Sequence, residues 1–169
     1  MLTAAALVQG EFAGMAITRF DITGIGNAIV DYLLQSDDAF LRRHDMLKGA
    51  MTLIDADTAT RLTAAMVGGL TASGGSVANS CAVAAALGAR VAFLGKVGAD
   101  DMGEVFREEI ASAGVHYATK PLTAPVPTGR CLILVTPDGQ RTMNTYLGAG
   151  GEFSVTVPPY SITDIVITP

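Results

Sequence analysis

The sequence predicts an α/β fold in which a partly parallel, helix-covered sheet is joined to a second, smaller sheet. The first sign is the run RVAFLGKVG, DMGEVFREEIASAG and VHYATK, which follow one another as strand, helix and strand between Arg90 and Lys120. That spacing suits a βαβ crossover, whose strands lie parallel. The second is TGRCLILVTPDGQRTMNTYL, two strand-like runs joined by Pro137-Asp138-Gly139, a hairpin signal. The third is composition. Charged residues make up 16% of the 169, against roughly 25% in an average soluble domain. Glycine contributes 19 residues, well above its usual share of about 7%. Few charges and many glycines describe a buried sheet with tight turns, and the length fits one domain.

In chain order, residues 1–14 are rich in Ala and other small residues and read as an N-terminal extension ahead of Met15. Phe20, Ile22 and Ile25 open a β-rich run that continues as NAIVDYLL. MTLI at 51–54 is a short strand. Asp55 or Asp57 then caps a helix running to the neighbourhood of Val67, where Gly68 and Gly69 stop it. Ser73-Gly74-Gly75-Ser76 leads into VANSCAVAAALG, a helix with almost no polar face. It is expected to be buried against a sheet, its small side chains letting the backbones come close. Asp100 and Asp101 cap the helix after RVAFLGKVG. The strand at 50–54 and the hairpin at 128–146 are expected to form the small separate sheet. Beyond Gly148, Pro158-Pro159 breaks the chain and SITDIVIT is one more strand.

Several function classes drop out. Lys and Arg number 11 against 16 Asp and Glu, a net charge of −5 with no basic block to neutralise phosphates, so nucleic acid is excluded as a partner. Mean hydropathy is +0.41, yet the longest uncharged stretch, Leu62 to Ala89, has TASGGSVANS at its centre where a membrane span needs apolar side chains. The N-terminal apolar run has no basic residue before it and Glu11 just after it, a poor secretory signal, and a cytoplasmic protein is expected. Cys81 and Cys131 lie far apart, and His44 and His116 lack ligand-spaced neighbours, which leaves no zinc or disulfide pattern. Both thiols read as small buried side chains.

The chemistry-bearing residues gather in two segments. Asn27 and Asp31 lie four residues apart beside the glycines of GIGN. A carboxylate there can accept two hydroxyl hydrogen bonds, as a polyol or ribose requires, although Asn and Asp are also ordinary turn residues. A dinucleotide reading of GIGNAI places Ile29 at the third glycine and is weak. In SGGSVAN the pair Gly74 and Gly75 precedes a helix and exposes backbone N–H groups, with Asn79 one turn inside. Together they suit hydroxyls or an anion. GKVGADDMG is a turn into a capped helix whose carboxylates already occupy its dipole. GAGGE at 148–152 is a poor anion cradle, because the β-like FSVTVPP follows it instead of a helix.

The ordered set GIGNAIVD, LID, SGGSVAN, ALGARVAFLGKVGADDMGEVF, AGV, PTGRCLILVTPDGQRTM and YLGA resembles the N-terminal half of the ribokinase and adenosine kinase superfamily, the PfkB carbohydrate kinases, over about residues 20–149. GN-x3-D, PTGRC and DGQR look closest to the adenosine kinase-like branch. The resemblance implies a ribokinase-like αβα sandwich, here partial, with a small β-sheet lid of strands near 50–54 and 128–146. It implies that Asn27 and Asp31 hold acceptor hydroxyls together with Gly74, Gly75 and Asn79. It also implies that Arg141 reaches in from the lid and that Ser76 and Leu147 lie near the bound nucleoside or sugar.

Members of that family transfer the γ-phosphoryl group of ATP, with magnesium, to a primary hydroxyl, using an aspartate base in a DTxGAGD motif. That motif and the nucleotide-binding half are absent from this sequence. Residues 15–169 are therefore expected to be a truncated substrate-binding portion, inactive alone and with no catalytic residue of its own. The rival readings are a degenerate or non-catalytic nucleoside- or sugar-binding module and a Rossmann oxidoreductase, the latter disfavoured by the missing third glycine.

Overall fold

The computed structural model describes residues 20–152, so the expected N-terminal extension, the Pro158-Pro159 break and the strand SITDIVIT lie outside the described residues. The elements run β1 (Ile22–Ile25), β2 (Ile29–Gln35), α1 (Asp38–Arg43), β3 (Met51–Leu53), α2 (Ala56–Ala65), β4 (Leu70–Gly74) and α3 (Ser76–Ala86). They continue as β5 (Val91–Leu94), α4 (Asp101–Ser112), β6 (Val115–His116), β7 (Gly129–Val135) and β8 (Arg141–Tyr146), followed by a 3₁₀ helix, Gly148–Glu152.

Short polar side chains start the helices as their spacing predicts. Asp37 accepts from the Phe40 N–H at 2.7 Å, Asp55 from Thr58 at 2.7 Å, and Asp100 from Gly103 at 2.9 Å. Of the two candidate caps for α2, Asp55 holds the position. The α1 helix has no counterpart in the sequence reading, because at 6 residues it is too short to display a helical period.

Two sheets form. The βαβ unit builds a parallel sheet of order β1-β5-β6, with Ile22 opposite Val91 and Val91 opposite Val115. Phe93 and Phe106, both fully buried, meet at 5.8 Å between ring centres and close on Tyr117, joining this sheet to α4. The α3 helix lies close on β1 because Gly24 has no side chain: a Cβ there would strike the Cys81 sulfur and Val77. Its expected full burial is corrected. Val77, Ala78 and Cys81 face inward, but Val83 is 61% and Leu87 84% exposed. One helix face suffices to cover three strands, and the outer face stays uncovered among the described residues.

The second sheet is larger than expected. It has five strands in the order β3-β8-β7-β2-β4, rather than the three at 50–54 and 128–146. The hairpin of β7 and β8 is antiparallel, β2 lies parallel to β7, and β4 pairs antiparallel to β2. The physical reason is that β2 is apolar on both faces. Val30 packs into the core around Phe93, while Ile29 joins Cys131 and Ile133 on the opposite side. Such a strand belongs inside a sheet. The α1 and α2 helices cover one face of this sheet through Leu41, Leu62, Met66, Leu132 and Leu134. Among the described residues no helix is long and apolar enough to cross a membrane.

Surface ion pairs tie the segments together. Arg90 forks onto Asp21 at 2.6 and 3.1 Å, and Lys48 lies 2.8 Å from Asp138 in the hairpin turn. These partners hold the Asp21 and Asp138 carboxyls down at about 2. A depressed carboxyl stabilises the fold above its unfolded value near 3.9 and loses that contribution as pH falls through the folded value. Stability is therefore expected to drop between about pH 4 and pH 2, and Asp138→Asn to flatten the drop. Denaturant midpoints measured across that range with the same slope in both proteins would contradict the assignment.

Candidate functional site

Strand alternation in β2 puts Asp31 on the face that α1 and α2 leave open. Asp31 falls in the β-rich run NAIVDYLL of the sequence, and the structure places it within β2, opposite Ala72 on one side and Cys131 on the other. Cys131 in turn pairs with Thr145 of β8, so Asp31, Cys131 and Thr145 form one cross-strand row. The Thr145 hydroxyl donates to the Cys131 sulfur at 3.2 Å. Gly74 makes room for the carboxylate, since any Cβ there would overlap both Asp31 oxygens.

Gly75 caps α3 with φ +93 and no side-chain cap bond. Only glycine adopts this backbone easily, and a Cβ would also meet the Asn27 carbonyl at 2.6 Å. The loop and Asn27 are thus packed backbone to backbone. Asn79 lies in the first turn of α3, its N–H donating to the Gly75 carbonyl at 2.9 Å. Gly150 of the 3₁₀ helix backs onto Asn27, so GAGGE supports the site from behind.

These elements enclose a cavity of about 350 Å³. Asn27, Asp31, Gly75, Ser76 and Asn79 line its polar side, and Leu147 borders it. Gly74 stands behind Asp31. Arg141 is not part of the lining. It sits at the far end of β8 opposite Val135, exposed, two side chains along the same strand face from Thr145.

The lining also holds residues that the sequence reading missed: Ile29, Met51, Leu53, Val77, Cys131, Ile133, Met143 and Thr145. For those on strands the signal is period-two spacing, Met51 and Leu53 on β3, Cys131 and Ile133 on β7, Met143 and Thr145 on β8, which becomes readable only once the strand pairing is known.

Burial pushes the Asp31 carboxyl up from its ordinary value, and the charge of Arg141 draws it partly back. Within the described residues the side chain makes no hydrogen bond and no ion pair. A half-buried carboxylate without donors has acceptor capacity to spare. Cys131 is raised as well, by burial first, with Asp31 adding to the shift. Both cysteines are buried free thiols, as expected of them.

Comparison with known proteins gives this geometry a context. The chain matches the pfkB family carbohydrate kinase model over residues 51–161. It is similar to the adenosine kinase from Sinorhizobium meliloti, with 49% identity and a TM-score of 0.74 over 80% of this chain and 42% of that one. A probable sugar kinase from Rhizobium etli gives 48% identity and a TM-score of 0.74 over 81% and 42%. Anopheles gambiae adenosine kinase, solved with P1,P4-di(adenosine-5) tetraphosphate, gives 28% identity and a TM-score of 0.71 over 79% and 41%. The chain thus spans 42% of the length of the first two. Its α/β architecture is the ribokinase-like fold of these kinases, in part. With a family match across most of the described residues and 49% identity to a solved adenosine kinase over 80% of its length, the chain belongs to the pfkB family of carbohydrate kinases.

Proposed function

We propose that this chain supplies the acceptor-binding side of an ATP-dependent phosphotransferase acting on a primary hydroxyl of an adenosine-like nucleoside. The observation that carries the proposal is the half-buried Asp31 carboxylate, without a donor among the described residues, facing a cavity with one polar and one apolar side. Asp31 accepts hydrogen bonds from two hydroxyls. Asn27, Asn79 and the backbone at Gly75 supply the complementary donors and acceptors. Met51, Leu53, Ile133, Met143 and Leu147 form a slot for a flat, weakly polar ring. That division favours a nucleoside over a free sugar.

The family's ATP and magnesium are a separate matter. Among the described residues no three His, Cys, Asp or Glu side chains stand together to hold a metal ion. Neither that ion nor a transfer step is assigned to these residues. What they do is bind the acceptor, orient it and exclude water from it. The base and the anion-stabilising donors are proposed to come from outside the described residues.

Calorimetric titration of the chain with adenosine, ribose and fructose tests this reading. Adenosine is expected to bind at least about tenfold more tightly than ribose, since roughly 1.4 kcal/mol requires only a modest apolar area. Equal affinities for adenosine and ribose would remove the nucleoside preference. No binding of any of the three would remove the acceptor site.

A further inference from the structure

We propose that α4 sets the aperture of the acceptor cleft through two positioning residues, Asp100 at its start and Glu109 near its end, each gripping a segment that flanks the cavity. The inference rests on the acceptor-site reading only for what the cleft holds; the grips themselves are visible in the geometry.

An Asp cap ordinarily spends one oxygen on its helix. Asp100 spends both. Oδ1 accepts from the Gly103 N–H at 2.9 Å and from the Thr128 hydroxyl at 2.5 Å, and Oδ2 accepts from the Thr128 N–H at 2.9 Å. The Thr128 oxygen accepts in turn from the Gly98 N–H at 2.9 Å. Thr128 is 1% exposed and leads directly into β7, whose Cys131 and Ile133 line the cavity.

Glu109 grips the other flank. β4 is the outer strand of its sheet, so alternate N–H groups turn away from β2. The N–H of Ser73 is one of these and donates to Glu109 Oε2. Ser73 immediately precedes the Gly74-Gly75 loop. A carboxylate near a helix C-terminus opposes the dipole, a cost that this hydrogen bond offsets. The two grips lie about 13 Å apart along a helix that rises 1.5 Å per residue. One point of attachment would let the five-stranded sheet pivot on the core; two fix its angle.

The test uses the 169-residue chain and its Glu109→Ala, Glu109→Gln and Asp100→Asn variants. The first readout is the alkylation rate of Cys131 against Cys81 with iodoacetamide, resolved by peptide mass spectrometry. The second is adenosine affinity by calorimetry. Glu109→Ala and Asp100→Asn are expected to raise the Cys131 rate about tenfold, the order of one charged hydrogen bond, and to leave Cys81 unchanged. Glu109→Gln should match the parent, because glutamine keeps the single oxygen in use. Asparagine cannot replace both oxygens of Asp100. Where the parent binds adenosine, affinity should fall about tenfold in the same two variants.

Unchanged Cys131 rates, equal acceleration of both cysteines, or Glu109→Gln behaving like Glu109→Ala would each overturn the proposal. If Asp100→Asn fails to fold, the Glu109 pair still decides. A parent chain that binds no acceptor would remove the functional reading, and the alkylation rates would still decide the clasp.

Discussion

Replacing Asp31 with alanine is expected to weaken adenosine binding about thirtyfold without lowering stability at neutral pH. A hydrogen bond to a charged group contributes roughly 1.5 to 3 kcal/mol, and truncation also leaves two ligand hydroxyls without partners. The stability half follows from the raised carboxyl. A group whose folded value lies above its unfolded one contributes most below the unfolded value and loses that contribution as pH rises through the folded one. At neutral pH the buried charge is therefore a cost to the fold. Asp31→Asn should be at least as stable as the parent there and still bind poorly, since an amide offers one acceptor oxygen in place of two. In the parent, affinity should fall on acidification at a pH above the ordinary aspartate value. Parent-like affinity in Asp31→Ala, or a loss of binding matched by a loss of Tm, would show that Asp31 serves the fold and not the ligand.

Gly75→Ala is expected to abolish measurable acceptor binding and to cost roughly 1 to 3 kcal/mol of stability. Two effects coincide at this position. The backbone stands at φ +93, which an L side chain adopts only under strain, and the new Cβ would meet the Asn27 carbonyl at 2.6 Å, well inside van der Waals contact. Relief requires Asn27 and the α3 N-terminus to move apart, and these form the polar side of the cavity. A displacement near 1 Å at a positioning group costs on the order of a hundredfold. Gly88→Ala is the control. Gly88 stands at the same φ of +93 with nothing within 4 Å of a Cβ, so it should show the strain cost and keep the affinity. If both variants bind alike, the glycine loop is only a helix start.

The contrast between β2 and α4 shows where sequence reading stops. The α4 helix is announced locally by Asp100 at its cap and by apolar Phe106 and Ile110 on its buried side. Nothing local announces that Asp100 also holds Thr128, because the two are brought together only by the return of the chain into β7. Asp31 is legible as a hydroxyl-binding candidate from its type and its distance from Asn27. Its neighbours across the sheet are not, because a register shift of one residue would turn Cys131 and Met143 to the opposite face.

By itself the sequence determined the order and kind of most elements, the two-architecture plan, and the identity of Asn27, Asp31, Gly75 and Asn79 as the residues to watch. Capping, hairpin turns and glycine loops act over a few bonds, so their signals lie within short windows of the chain. Only the tertiary structure decided that β2 joins the five-stranded sheet beside β7, that Leu70–Gly74 pairs as its outer strand, and that eight further residues complete the cavity wall. Strand partners far apart in sequence are chosen by the burial of both faces of β2 at once, a property of the assembled layers and not of any segment read alone.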